Sequence, residues 1–186
     1  MNIRLRSLLG LLSLLLLIGL SSCASRPATA NPDTIIYIVR HAEKDLGADQ
    51  PDPPLSSVGR QRALTLRDTL RQAGALDAIF STSTVRTRAT AEPAAARFKL
   101  PLLSYDVREL NELADRIRRE YRGKRVLVVG HSNTILETAQ ALGCPRPAGA
   151  VAESQYDYLL VVRVPFDFTK PATVATRRYG VRSPGL

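Results

Sequence analysis

Thr34-Ile35-Ile36-Tyr37-Ile38-Val39-Arg40-His41 is the stretch from which the fold is read. Its first six residues form a near-continuous apolar, mostly β-branched run, as expected of a strand buried on both faces of a parallel sheet. Arg125-Val126-Leu127-Val128-Val129-Gly130-His131 repeats the pattern late in the chain. Each run ends on a histidine, and the chain has only 2.

Between and around these runs, strand and helix patterns alternate. Pro51, Pro53 and Pro54 mark a loop, after which Ser56 can cap a helix with apolar positions Ala63, Leu66, Leu70 and Ala73 at three- and four-residue spacing. The pattern then predicts a strand over 78–81, a helix over 84–98, a strand over 102–105 and a helix over 108–121. Leu110, Leu113, Ile117 and Tyr121 share one face of that last helix. A helix over 133–142 follows the second buried run, and strand-like runs over 156–164 and 173–179 are expected to close the sheet, with room for one antiparallel member. Such alternation implies an α/β fold, three layers α/β/α around a mostly parallel sheet.

The N-terminus carries different information. Arg4 and Arg6 precede an apolar run from Leu8 to Leu20, which is short for a membrane span and ends in small polar residues, so residues 1–22 read as a secretory signal. Leu20-Ser21-Ser22-Cys23 resembles the bacterial lipobox, which implies diacylglycerol on the Cys23 thiol and a lipid anchor in the membrane. No Asp follows Cys23, which favours the outer membrane. The competing expectation is an ordinary cleaved signal, with Cys23 paired to Cys144 in an oxidising compartment. Residues 23–33 lack periodicity and read as a tether, leaving one domain over 34–186. The net charge is +9, and two of those charges leave with the signal. A basic balance suits anionic partners such as phosphate esters or lipid headgroups, and no nucleic-acid partner is expected.

In open α/β sheets, ligands bind beyond the C-terminal ends of the strands. Arg40-His41 and Gly130-His131 both fall there. Arg86 lies just past the strand at 78–81, where helix N-terminal amides favour an anion. Arg88 stands about 200° round the helix from it and reads as a surface residue. Two imidazoles and two guanidiniums around one spot can clamp a phosphoryl group, with no metal or other cofactor required.

At these residues the chain resembles the histidine phosphatase, or phosphoglycerate mutase-like, superfamily. The R-H-G motif corresponds to Arg40-His41-Ala42, and the L-S-x-x-G-x-x-R-A segment to Leu55 through Ala63. The S-x-x-x-R-x-x-x-T-A segment falls on Thr82 through Ala91, and the closing G-H on Gly130-His131. Thr82 replaces the motif Ser and keeps its hydroxyl, whereas Ala42 replaces the motif Gly. The resemblance implies a phosphohydrolase in which His41 is the nucleophile that forms a phosphohistidine and Arg40, Arg86 and His131 bind the phosphoryl group. Glu109 is the best positional candidate for the acid, followed by Glu43 and Asp106. The expected substrate is a small phosphate ester, a phosphohistidine or a phosphorylated envelope component.

Other classes fit less well. Gly130-His131-Ser132-Asn133-Thr134 resembles a nucleophile elbow, but Thr134 takes the second Gly position and no histidine follows the serine. Zinc-ligand spacing and a nucleotide-binding G-x-x-x-x-G-K-[ST] loop are both missing. A non-catalytic anion-binding envelope lipoprotein and a phosphomutase using the same residues remain as alternatives. The short stretch between Arg40 and Ser56 leads to an expectation of an open, water-accessible site.

Overall fold

The computed structural model of the protein describes residues 31–47, 50–147 and 149–183. The expected signal over 1–22, Cys23 and most of the expected tether lie outside them. The elements are β1 (Thr34–Arg40), α1 (Ser57–Ala73), β2 (Ala78–Ser81), α2 (Val85–Phe98), β3 (Leu102–Ser104), α3 (Leu110–Glu120), β4 (Arg125–Gly130), α4 (Ile135–Ala141), β5 (Tyr158–Val164) and β6 (Thr173–Arg178). Among the described residues no helix is long and apolar enough to cross a membrane.

The strands form one sheet in the order β3-β2-β4-β1-β5-β6. β1 to β4 are mutually parallel, while β5 runs antiparallel to both β1 and β6. The two apolar runs that end on histidines are neighbours, paired from Ile35 opposite Arg125 to Arg40 opposite Gly130.

Side-chain alternation along these strands builds two cores. Ile36, Ile38, Val126, Val128 and Leu160 face α3 and α4, where Leu113, Ile117, Ile135 and Ala139 meet them. Tyr37, Val39, Ile79, Leu127 and Val129 face the opposite way, against Leu66 and Leu70 of α1 and Ala91 and Ala94 of α2. Both faces of β1 are buried, which is why its sequence is apolar without a polar alternate.

Local chemistry trims the expected boundaries. α3 starts at Leu110 rather than 108 because the Asp106 carboxylate accepts from the backbone N–H of Arg108 at 2.9 Å and holds that residue in a turn. α4 starts at Ile135 because residues 131–134 form a turn, with Thr134 N–H donating to the His131 carbonyl at 3.0 Å. Ala73, expected on the apolar face of α1, is exposed at the helix end.

Candidate active site

Strand pairing alone brings the two histidines to the same sheet edge. His41 N–H donates to the Gly130 carbonyl at 2.9 Å, one residue before His131. The two rings meet edge to face, with centroids 5.5 Å apart and planes at 68°.

His41 is buried, and its Nδ1 stands 2.8 Å from the carbonyl oxygen of Ala42. A carbonyl can only accept, so Nδ1 carries the proton and Nε2 keeps the lone pair. Burial lowers the His41 pKa to about 3; the Ala42 hydrogen bond opposes this, and the positive charges of Arg40 and Arg86 add to it. His131 is lowered to about 4, chiefly by burial and then by Arg86 and Arg40, against an opposing contribution from Asp52. Both imidazoles are therefore neutral at pH 7.

The arginines present matching forks. A guanidinium offers a bidentate edge through Nε and Nη2, the edge with which Arg62 grips Glu43. Arg40 is almost fully buried; its Nη1 donates to the carbonyls of Ala152, Glu153 and Gln155, and its plane lies 4.2 Å over the Tyr156 ring. Its Nη2 donates to Glu153 at 2.7 Å. Arg86 donates through Nη1 to Asp52 at 2.9 Å. Nε of Arg40 and Nε of Arg86 are both buried without a hydrogen-bond partner among the described residues. Orphaned buried donors are costly, and a pair of them on cations beside neutral histidines fits an anion.

The segment 55–63 supports the nucleophile loop. Ser56 accepts from Gly59 N–H at 3.1 Å and so caps α1. At Gly59 a Cβ would stand 2.1 Å from the Glu43 carbonyl oxygen, so only glycine lets the helix approach this closely. Arg62 closes a bidentate ion pair on the Glu43 carboxylate, and Leu55 and Ala63 pack against fully buried Ala42. Thr90 of α2 adds a tie, its Oγ1 accepting from Ala42 N–H at 2.9 Å. With its carboxylate gripped by Arg62, Glu43 is held as a support for this loop.

Thr82 Oγ1 lies 3.1 Å from His131 Nε2 and 2.8 Å from Thr87 Oγ1, so the residue standing in the Ser position keeps a hydroxyl against the histidine. His131 borders a cavity of about 460 Å³ with Thr82, Ser104, Tyr105, Asp106 and Arg108. Glu109, exposed before α3, borders a neighbouring cavity of about 270 Å³ that shares Ser104, Tyr105 and Asp106. Asp106 itself is paired with Arg108. Arg88 is exposed, as expected.

The expected openness is corrected at the nucleophile. The described residues between Arg40 and Ser56 supply no large lid, but 152–156 arrive from late in the chain: they grip Arg40, and the Tyr156 ring centroid lies 6.1 Å from that of His41. His41 is only 4% exposed. Three site residues escaped the sequence reading: Asp52, Glu153 and Tyr156. Asp52 lies in the Pro-rich loop, where no sequence pattern marks it out, yet its other oxygen accepts from the first N–H of α2 at 2.8 Å. Nothing local in the sequence ties residues 152–156 to Arg40. Among the described residues no group of three or more His, Cys, Asp or Glu side chains is placed to hold a metal ion.

Residues 36–114 match the family model described as histidine phosphatase superfamily (branch 1). That span holds Arg40, His41, Arg86 and Glu109; His131 lies beyond it and meets His41 through the pairing of β1 with β4. No curated protein matches the chain in sequence. Among solved structures it is similar to a SixA chain from Nakamurella multipartitia, with 19% identity, 82% of this chain and 99% of that one covered, and a TM-score of 0.61. It is similar to the protein histidine phosphatase SixA complexed with tungstate, at 17% identity, 80% and 96% coverage and a TM-score of 0.58. A mycobacterial glucosyl-3-phosphoglycerate phosphatase gives 14% identity, 79% and 98% coverage and a TM-score of 0.57. At such identities the likeness is one of fold.

Proposed function

We propose that this member of the histidine phosphatase superfamily is a phosphohydrolase working through a phosphohistidine on His41. The observation that carries this reading is the pair of buried guanidinium N–H donors, Arg40 Nε and Arg86 Nε, that have no hydrogen-bond partner among the described residues and stand beside two neutral imidazoles. Nε2 of His41 attacks phosphorus as the bond to the leaving oxygen of an ester, or to the leaving nitrogen of a phosphohistidine, breaks; water then attacks the same phosphorus and the P–N bond to His41 breaks, releasing inorganic phosphate and restoring the imidazole. Arg40, Arg86 and His131 hold the equatorial oxygens, where charge stabilisation contributes most. Glu109, beside the cavity next to that of His131, protonates the leaving group and then takes a proton from the attacking water. No metal takes part.

The substrate class is a phosphate monoester or phosphohistidine, carried on a small molecule or an envelope component. Export and lipidation at Cys23 place the enzyme on the bacterial envelope, the outer membrane in particular. Rapid quenching with a labelled phosphate ester tests the reaction: acid-labile label on the wild-type chain and none on His41→Ala supports it. Label absent from both, across a panel of esters and a phosphohistidine peptide, would leave an anion-binding protein as the better account.

A further inference from the structure

The Glu153 carboxylate occupies part of the guanidinium fork of Arg40. Its Oε2 accepts from Arg40 Nη2 at 2.7 Å, and its Oε1 accepts from the hydroxyl of Ser132, next to His131, at 2.6 Å. Nη2 is one half of the fork whose other half, Nε, has no hydrogen-bond partner among the described residues.

This contact is not what holds Arg40 in place. The Arg40 side chain is 1% exposed, gripped through Nη1 by three backbone carbonyls and stacked on Tyr156. The Glu153 side chain, by contrast, is 74% exposed. A carboxylate so exposed gives up an ion pair at small cost. A phosphoryl dianion that engages both Nε and Nη2 meets Arg40 bidentately and repels a carboxylate on the same edge.

We propose that Glu153 is a resident ligand of the Arg40 fork, displaced by the incoming phosphoryl group and returning to expel inorganic phosphate at the end of the cycle. This rests on the phosphatase reading and adds to it a residue that sets affinity and product release. Glu153 acts as an internal competitor, so its removal tightens phosphate binding. A residue that merely positioned Arg40 would, on removal, weaken it.

Calorimetric titration of inorganic phosphate into the full chain separates the two. Glu153→Gln is expected to bind phosphate about three- to fivefold more tightly than wild type, the range of an exposed ion pair. Product inhibition by phosphate should strengthen by the same factor. Glu153→Ala should move both readings in the same direction, which covers a failure of the first variant to fold. Equal or weaker phosphate binding by the folded variants overturns the inference and leaves the phosphatase reading standing, provided the wild type binds phosphate and forms acid-labile phosphate. A wild type that does neither overturns the phosphatase reading, and this inference falls with it.

Discussion

The imidazoles of His41 and His131 lie edge to face at 5.5 Å, although 90 positions separate them in the chain. The contact follows from the parallel pairing of β1 with β4, in which Arg40 is opposite Gly130. Removing either ring should damage a different step. His41→Ala is expected to abolish acid-labile phosphate formation, whereas His131→Ala should keep it and lower its rate about 10²- to 10³-fold, as for loss of one charge-stabilising donor. Single-turnover kinetics checks both.

Acid should act on stability through these same residues. The pKa of His41 is about 3 and that of His131 about 4 in the folded chain, both below the ordinary 6.5. The unfolded chain therefore takes up protons first as pH falls. The stability contributed by neutral burial is complete above about pH 6.5 and is lost progressively towards the folded values, by up to about 1.4 kcal/mol per pH unit for each histidine. Denaturant midpoints at pH 7 and pH 5 should diverge in wild type and diverge less in His41→Asn, where only His131 still contributes. Equal divergence in the two would contradict the assignment.

Thr82 is expected to act on catalysis through His131. Thr82→Val keeps the shape and removes the hydroxyl that faces His131 Nε2 at 3.1 Å, so kcat should fall about tenfold, the worth of one hydrogen bond. Thr82→Ser, which restores the motif residue and the hydroxyl, should keep near wild-type kcat. Steady-state assays of the two variants, with unchanged circular dichroism, decide the point.

The support of the nucleophile loop should register as stability. Arg62→Ala leaves the Glu43 carboxylate without its ion-pair partner and is expected to cost about 3–5 kcal/mol. Gly59→Ala drives a methyl into the Glu43 carbonyl and should cost about 1–3 kcal/mol. Urea unfolding measures both. A loss smaller than about 0.5 kcal/mol in each would show that the loop does not depend on this helix.

Lipidation can be tested separately from catalysis. Expressed in a bacterial host, the full chain should partition with membranes and gain the mass of an acylated Cys23, while Cys23→Ser should lose that added mass. A wild type recovered without acyl mass would refute the anchor.

The sequence by itself determined the α/β alternation, because apolar runs and helical spacing are local signals that depend only on which faces meet water. It also placed both histidines, Arg40 and Arg86 at the C-terminal strand edge, since the topology of a parallel sheet sends strand ends to one side. The segment 55–63 was visible as a motif, but its purpose was not: Gly59 is required by a close approach to Glu43, and Arg62 by that residue's charge. Only the tertiary structure decided which carboxylates face which cations. Asp52 meets Arg86, and Glu153 with Tyr156 closes over Arg40 and His41. Such partners are chosen by distance in three dimensions, and residues 112 or more positions apart in the chain leave no periodic trace of their meeting.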